Sequence, residues 1–175
     1  MRPAIKCGLI TGAGVCLWIL GEYALGFHTT RLAIGAYSGC FSGLIPLTTL
    51  FLLLRRQRDA SASGQLGLGA GLKSGLQAAF VSGVILYGFM FVYDHFINPG
   101  WLDNALDWRV AQLRAHGVTE IAIRDEITFY RRMNTPAGCL VSLVGGTTLL
   151  GGVLSAGLTL LLRWWPPRAP AGPGA

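Results

Sequence analysis

Charge is what this sequence has least of. Asp, Glu, Lys and Arg make up 13% of its 175 residues, about half the share found in a soluble domain, so there is too little charged surface to clothe a globule in water. Catalytic signatures are missing as well: no nucleophile elbow, no phosphate-binding loop, no His-Glu-x-x-His and no Cys-x-x-Cys pair. Each of those chemistries needs its residues at a fixed spacing, and none is expected, so the chain reads as non-enzymatic and without a cofactor. The four cysteines, Cys7, Cys16, Cys40 and Cys139, all fall inside apolar runs. They read as small packing residues rather than a disulfide framework or a zinc site. Glycine is abundant, at 25 residues, but has no three-residue period and sits among aliphatic residues, which excludes collagen and disorder. The basic excess, 14 Lys and Arg against 8 Asp and Glu, is not gathered on one patch. A nucleic-acid groove binder needs such a patch, and no nucleic-acid partner is expected.

What is present is four long apolar stretches, and a spanning helix needs about 20 such residues. They run over about 4–27, 32–54, 74–97 and 137–162, the third with an uncharged core from Ser74 to Tyr93. The sequence therefore predicts an all-α membrane protein of four transmembrane helices, a single domain over 1–165 with the lipid bilayer as its first partner. Arg2 and Lys6 ahead of the first stretch imitate a secretory signal. No small-x-small cleavage site follows and the apolar run is too long, so the first span is expected to be retained.

The flanking charges set a direction. Arg2, Lys6, Arg55, Arg56, Arg58, Lys73, Arg163 and Arg168 fall on one side, with Asp59 as the only acid. The other side holds six arginines (31, 109, 114, 124, 131, 132) against seven acids: Glu22, Asp94, Asp103, Asp107, Glu120, Asp125 and Glu126. The positive-inside rule then predicts both termini cytoplasmic. Trp164-Trp165-Pro166-Pro167 reads as an interfacial anchor and helix stop, and 166–175 as a disordered cytoplasmic tail. Between the third and fourth spans, 98–135 predicts an outer insertion of two amphipathic helices. Leu102, Leu106, Val110 and Leu113 recur at helical spacing before a stop at Gly117, and Thr119 caps a second helix carrying Ile123, Ile127 and Tyr130. Its mixed charges argue against an anionic-lipid patch.

Small residues recur every four positions, on one helix face: Gly8 and Gly12; Gly35, Gly39 and Gly43; Gly71, Gly75, Ala79 and Gly83; Gly138, Ser142 and Gly146. In a bilayer such faces let backbones approach and pack, and these are expected to be the helix-packing positions, within the chain, in a homo-oligomer or against a larger membrane partner. The halves also echo each other, Lys6-Cys7-Gly8-Leu9 lining up with Lys73-Ser74-Gly75-Leu76. Glu22 is the one acid well inside an apolar run, about one and a half turns short of its end. An intramembrane carboxylate is costly and a functional candidate by default; its plainer role is to pair with Arg31 or His28. His28, Asp94 and His95 fall at the same level and with Glu22 make a candidate proton or cation site, although no metal-specific spacing is present. Pro46 predicts a kink in the second span.

The chain resembles the bacterial membrane family catalogued as domain of unknown function 4199. The resemblance is carried by Gly8-Leu9-Ile10-Thr11-Gly12, Glu22-Tyr23-x-Leu25-Gly26-x-His28, Gly69-x-Gly71-x-Lys73-x-Gly75, Phe96-Ile97-Asn98-Pro99-Gly100-Trp101-Leu102 and Met133-Asn134-Thr135-Pro136. It implies a four-helix protein of the bacterial inner membrane and brings no catalytic residues. Two functions fit: a non-enzymatic packing or accessory component of the inner membrane, or a proton- or cation-coupled transporter acting as a dimer, with Glu22 as coupling carboxylate. The second loosely resembles small multidrug transporters, four-helix chains with a glutamate in the first helix, although Glu22 lies near one end of its span and the outer insertion has no counterpart there.

Overall fold

The computed structural model describes residues 1–61 and 63–164; Trp165 and the expected tail over 166–175 lie outside them. Every regular element among the described residues is a helix, with no strand. Eight helices follow one another: α1 (Pro3–Ala24), α2 (Leu32–Ser42), α3 (Leu44–Asp59), α4 (Leu68–Val92), α5 (Trp101–Ala115), α6 (Glu120–Met133), α7 (Pro136–Cys139) and α8 (Thr147–Trp164). Two π-helical segments, Tyr93–Ile97 and Leu140–Gly146, extend α4 and join α7 to α8. Taken as continuous rods, Pro3–Ala24, Leu32–Asp59, Leu68–Ile97 and Pro136–Trp164 are long and apolar enough to cross a membrane. The chain is a multi-pass membrane protein by that measure.

Local chemistry explains where the rods begin and end. Gly26 adopts φ +77°, a conformation cheap only for glycine, and its carbonyl accepts from the amides of Thr30 and Arg31, which turns the chain out of α1. The second rod breaks at Gly43, three residues before Pro46. The proline has no amide for the Ser42 carbonyl and its ring crowds that carbonyl, so α2 stops at Ser42 and α3 restarts at Leu44. Thr119 caps α6, accepting from the Ala122 amide at 3.4 Å. Thr135 caps α7 by accepting from Gly138 at 3.1 Å, with Pro136 in the first turn.

α4 is the centre of the bundle. One face packs against α1: a Cβ on Gly8 would lie 2.5 Å from the Ala78 carbonyl oxygen, and one on Gly12 would lie 2.9 Å from Ile85. The opposite face packs against α8, with Gly71 on Thr159, Gly75 on Ser155, and Gly83 on Thr147 and the Leu143 carbonyl, answered from α8 by Gly151 on Ala79 and Gly152 on Leu76. Gly8 and Gly75, which occupy matching places in the two halves of the sequence, both sit at such contacts. Gly35 and Gly138 are also crowded, but by turn backbone, the Phe27 carbonyl and the Arg132 carbonyl respectively. The remaining small-residue positions differ. Gly39 has nothing within 4 Å, Gly43 only the carbonyl of Cys40 in its own turn, and Gly146 only that of Val141. Spacing places residues on a face; it does not say whether another helix comes to that face.

α3 closes the bundle with Leu50, Leu53 and Leu54 against Ala4, Cys7, Ala78 and Leu162. Arg58, read from sequence as a topology signal, turns inward instead: it is 2% exposed. Its Nη1 donates to the Leu162 carbonyl at 3.1 Å, while Nη2 and Nε bond Asp59. It thus serves a carbonyl in the last described turn of α8, where a cation also suits the helix dipole. Arg58→Ala is expected to destabilise the protein by about 2–3 kcal/mol, the scale of a hydrogen bond to a charged group, read as a shifted unfolding midpoint in detergent.

α5 and α6 form an antiparallel pair seated by Leu106 and Ile123, both buried. Three ion pairs link them, Arg109–Glu126, Arg114–Glu120 and Arg131–Asp103. The Arg114 guanidinium, donating to Glu120 at 2.8 and 3.1 Å, holds that carboxyl below the usual range. The contribution of this pair is therefore complete above the ordinary glutamate value and is lost as pH falls through the lowered one. Arg114→Gln is expected to return the Glu120 titration upward to the ordinary range, measured by side-chain carboxyl NMR.

Candidate functional site

At the end of the bundle where α1 stops, the turn after it folds back over the end of α4. Glu22 is 6% exposed, and both carboxylate oxygens are engaged. The Trp18 indole, one turn earlier on α1, donates to Oε1 at 2.7 Å; an indole N–H can only donate, so Oε1 is an acceptor. His28 Nε2 lies 3.3 Å from Oε2. The other imidazole nitrogen, Nδ1, lies 2.6 Å from the Tyr93 hydroxyl, which also accepts from Asn98 Nδ2 at 3.2 Å. Tyr93 is 1% exposed and is the hub of the site. Tyr23 and His28 meet its ring edge-on, at 5.9 and 5.8 Å between ring centres, and the Tyr23 hydroxyl donates to the Ile97 carbonyl at 3.2 Å.

Backbone irregularity puts these groups in place. In the π segment Tyr93–Ile97 the Asn98 amide reaches the Tyr93 carbonyl at 2.8 Å, a wider turn than an α-helix makes. π-bulges are frequent at functional sites. At the end of α1 the Phe27 amide reaches the Glu22 carbonyl and the Gly26 amide the Tyr23 carbonyl, both at 2.9 Å, the paired bonds of a Schellman cap with Gly26 in the left-handed position.

Of the four candidate residues, the structure brings Glu22 and His28 together and leaves the other two outside. Asp94 accepts from the Trp101 indole at 2.5 Å. His95 stacks on Phe91 at 4.4 Å, its Nδ1 on the Phe91 carbonyl. Adjacent residues on a helix point apart, and Tyr93, not its neighbours, takes the inward position. Trp18 and Tyr93 were not singled out from sequence. The step from Trp18 to Glu22 is four residues and could have been read as a one-face pair, and Tyr93, seven residues after Leu86, continues the buried face of α4 at helical spacing. Glu22 and His28 alone offer a metal two ligands, and no group of three metal-binding side chains occurs among the described residues.

The family model described as Protein of unknown function (DUF4199) matches residues 6–163. The chain belongs to the DUF4199 family. No curated protein and no solved structure matches it. The match takes in all four membrane-length rods and the α5–α6 pair of this DUF4199 chain, and the Glu22–His28–Tyr93 group lies well inside it.

Two openings flank the group. A cleft of about 520 Å³ between the α1–α2 turn, α2, α5 and α6 has His28 on its wall, with Phe27, Trp101, Trp108 and Tyr130 around it. That is within the range of small-molecule sites, about 300–1,000 Å³. Further along the bundle lies a cavity of about 110 Å³ among α1, α3, α4 and α8.

The heavy atoms of the chain serve two proton arrangements. With Glu22 ionised, neutral His28 donates from Nε2 to Oε2 and accepts at Nδ1 from the Tyr93 hydroxyl. With Glu22 protonated, its hydroxyl donates to Nε2 and Nδ1–H donates to the Tyr93 oxygen beside Asn98, and the Tyr93 proton gives up its acceptor. Nothing but protons moves between the two states, the property a proton relay requires.

Proposed function

We propose that this protein is a non-enzymatic carrier of protons, alone or coupled to a small cation, in the bacterial inner membrane, with both termini cytoplasmic. Glu22 takes up and releases the proton, and four helices per chain make a dimer the working unit wherever a larger ion must be enclosed. The observation that carries this reading is the buried Glu22 carboxylate, tied through His28 to Tyr93 by a continuous line of hydrogen bonds along which a proton can pass. The charge asymmetry of the flanks supports the orientation. A reporter fused at Gly117, in the α5–α6 turn, is expected to report the periplasm; a cytoplasmic signal contradicts the topology. The transport reading is tested by proton and cation flux into proteoliposomes under an imposed pH gradient.

A second reading, an accessory component docked to a second copy or a larger membrane protein, is favoured by α2. Ile34, Tyr37 and Phe41 on that helix are all half exposed or more, and Gly39 has no neighbour. Flux absent for every cation tested, together with a co-purifying partner, would put this reading first.

A further inference from the structure

The cavity of about 110 Å³ in the middle of the bundle is walled mostly by apolar atoms, with the hydroxyl-bearing side chains of Thr11, Thr49, Ser82 and Thr147 set among them. Ser82 on α4 is 5% exposed and lines it, yet its hydroxyl makes no hydrogen bond among the described residues. The other serines and threonines of the spans mostly bond back to a carbonyl three or four residues earlier. No buried side-chain oxygen among the described residues lacks a partner, so the Ser82 oxygen is one that reaches the cavity, where water is the partner it can take. Across the cavity, Thr11 and Thr49 bond each other at 2.7 Å, and Thr11 also donates to the Cys7 carbonyl at 2.9 Å. Each hydroxyl has one hydrogen and two acceptor sites, so Thr49 keeps acceptor capacity facing the same space. At about 30 Å³ for each water in the liquid, the cavity holds about three.

Cys7 and Thr49 line this cavity and also a groove of about 550 Å³ between α1 and α3, on which Lys6 and Arg56 lie. Cavity and groove thus share a wall at the end of the bundle remote from Glu22. Toward Glu22 the cavity ends at Val15 and Leu86. Val15 precedes Glu22 by seven residues and Leu86 precedes Tyr93 by seven, about 10 Å of helix rise in each case.

We propose that the cavity is a water-filled well, opening toward the Lys6–Arg56 groove, through which the Glu22 proton is exchanged with that side of the membrane, with Val15 and Leu86 as the apolar plug between well and carboxylate. The assignment rests on the proton-carrying reading of Glu22 and adds to it a route. Its occupants are water and hydronium; a cavity of this volume excludes organic solutes. On the other side, His28 faces the aromatic cleft, so the relay has a wet approach from each end and one dry barrier between.

Silver ion, about the size of a water molecule and reactive toward thiolates, is the probe. In a background with the four native cysteines replaced by serine, Ser82→Cys in proteoliposomes is expected to react at least about a hundredfold faster than Val84→Cys, whose parent side chain lies on the outer face of α4 at 47% exposure. Thr11→Cys, at a second cavity-lining position that the groove does not share, is expected to behave like Ser82→Cys and serves if that variant fails to fold. Silver modification of either variant is expected to reduce proton flux at least about tenfold relative to the treated cysteine-free background. Rates equal to that of Val84→Cys would overturn the well, and fast modification that leaves flux unchanged would overturn the route. The silver rates do not depend on Glu22: Glu22→Gln introduced with Ser82→Cys is expected to leave them unchanged. Slow modification alongside Glu22-dependent flux would thus refute the well alone, and fast modification alongside Glu22-independent flux would refute the reading of Glu22.

Discussion

Gly75→Leu is expected to cost about 3 kcal/mol or more of stability, while Gly39→Leu costs almost nothing. The two glycines look alike in sequence, each in a four-residue stripe inside an apolar span. At Gly75 a Cβ would collide with the Ser155 side chain, which is fully buried, and would lie 3.2 Å from the Gly151 carbonyl oxygen. A leucine must push α8 away, and that loosens Gly71 on Thr159 and Gly83 on Thr147 as well. Overpacking a tight core commonly costs about 1–3 kcal/mol, and here two further contacts on the same pair of helices are strained together. At Gly39 nothing lies within 4 Å, so leucine there adds apolar surface toward lipid. Unfolding midpoints of the two variants in the same detergent separate these outcomes. A Gly39→Leu protein as damaged as Gly75→Leu would mean that a second copy or partner covers α2 in the purified state, as the accessory reading requires.

That comparison marks how far the sequence could be read. Long apolar runs place the four rods because the bilayer demands them; the helices run past the apolar stretches where a charge bounds those stretches, and the first stops at Ala24, short of Phe27, at the Gly26 turn. The third rod begins at Leu68, not at Ser74, and passes Lys73; the second continues through the arginines to Asp59. Helical hydrogen bonding is indifferent to those charges. Caps at Thr119 and Thr135 and the turn at Gly117, φ +73°, were legible because each depends on a residue type at one position. The π segments were not, since a single extra residue in a helical turn leaves no repeating pattern. Of the candidate site, Glu22 and His28 could be placed at one level, and Tyr93, which completes their chain, keeps the buried face of α4 seven residues after Leu86, whereas Asn98 reaches the Tyr93 hydroxyl from beyond the π segment.

Glu22→Gln is the substitution with the largest expected effect on function, because it removes the proton site and little else. The amide has the same length, and its oxygen can still accept from the Trp18 indole. Its NH2 group, facing His28 Nε2, is served by the imidazole tautomer that donates from Nδ1 to Tyr93, whose oxygen can accept from His28 and Asn98 together. The fold is therefore expected to survive with an unchanged unfolding midpoint. Glu22→Ala is expected to lower that midpoint, because it leaves the Trp18 and His28 groups without their shared partner. Proton transfer through Glu22 then has no carrier, and the loss should be about a hundredfold, the scale on which a positioned proton donor accelerates a transfer. Glu22→Asp, with the carboxylate drawn back, is expected to retain part of the rate, and His28→Ala to fall between Glu22→Asp and Glu22→Gln. The most direct test is proton flux into proteoliposomes under a pH gradient, wild type against Glu22→Gln at matched incorporation. The account predicts flux in the wild type and about a hundredfold less in the variant. Equal flux in the two would contradict it.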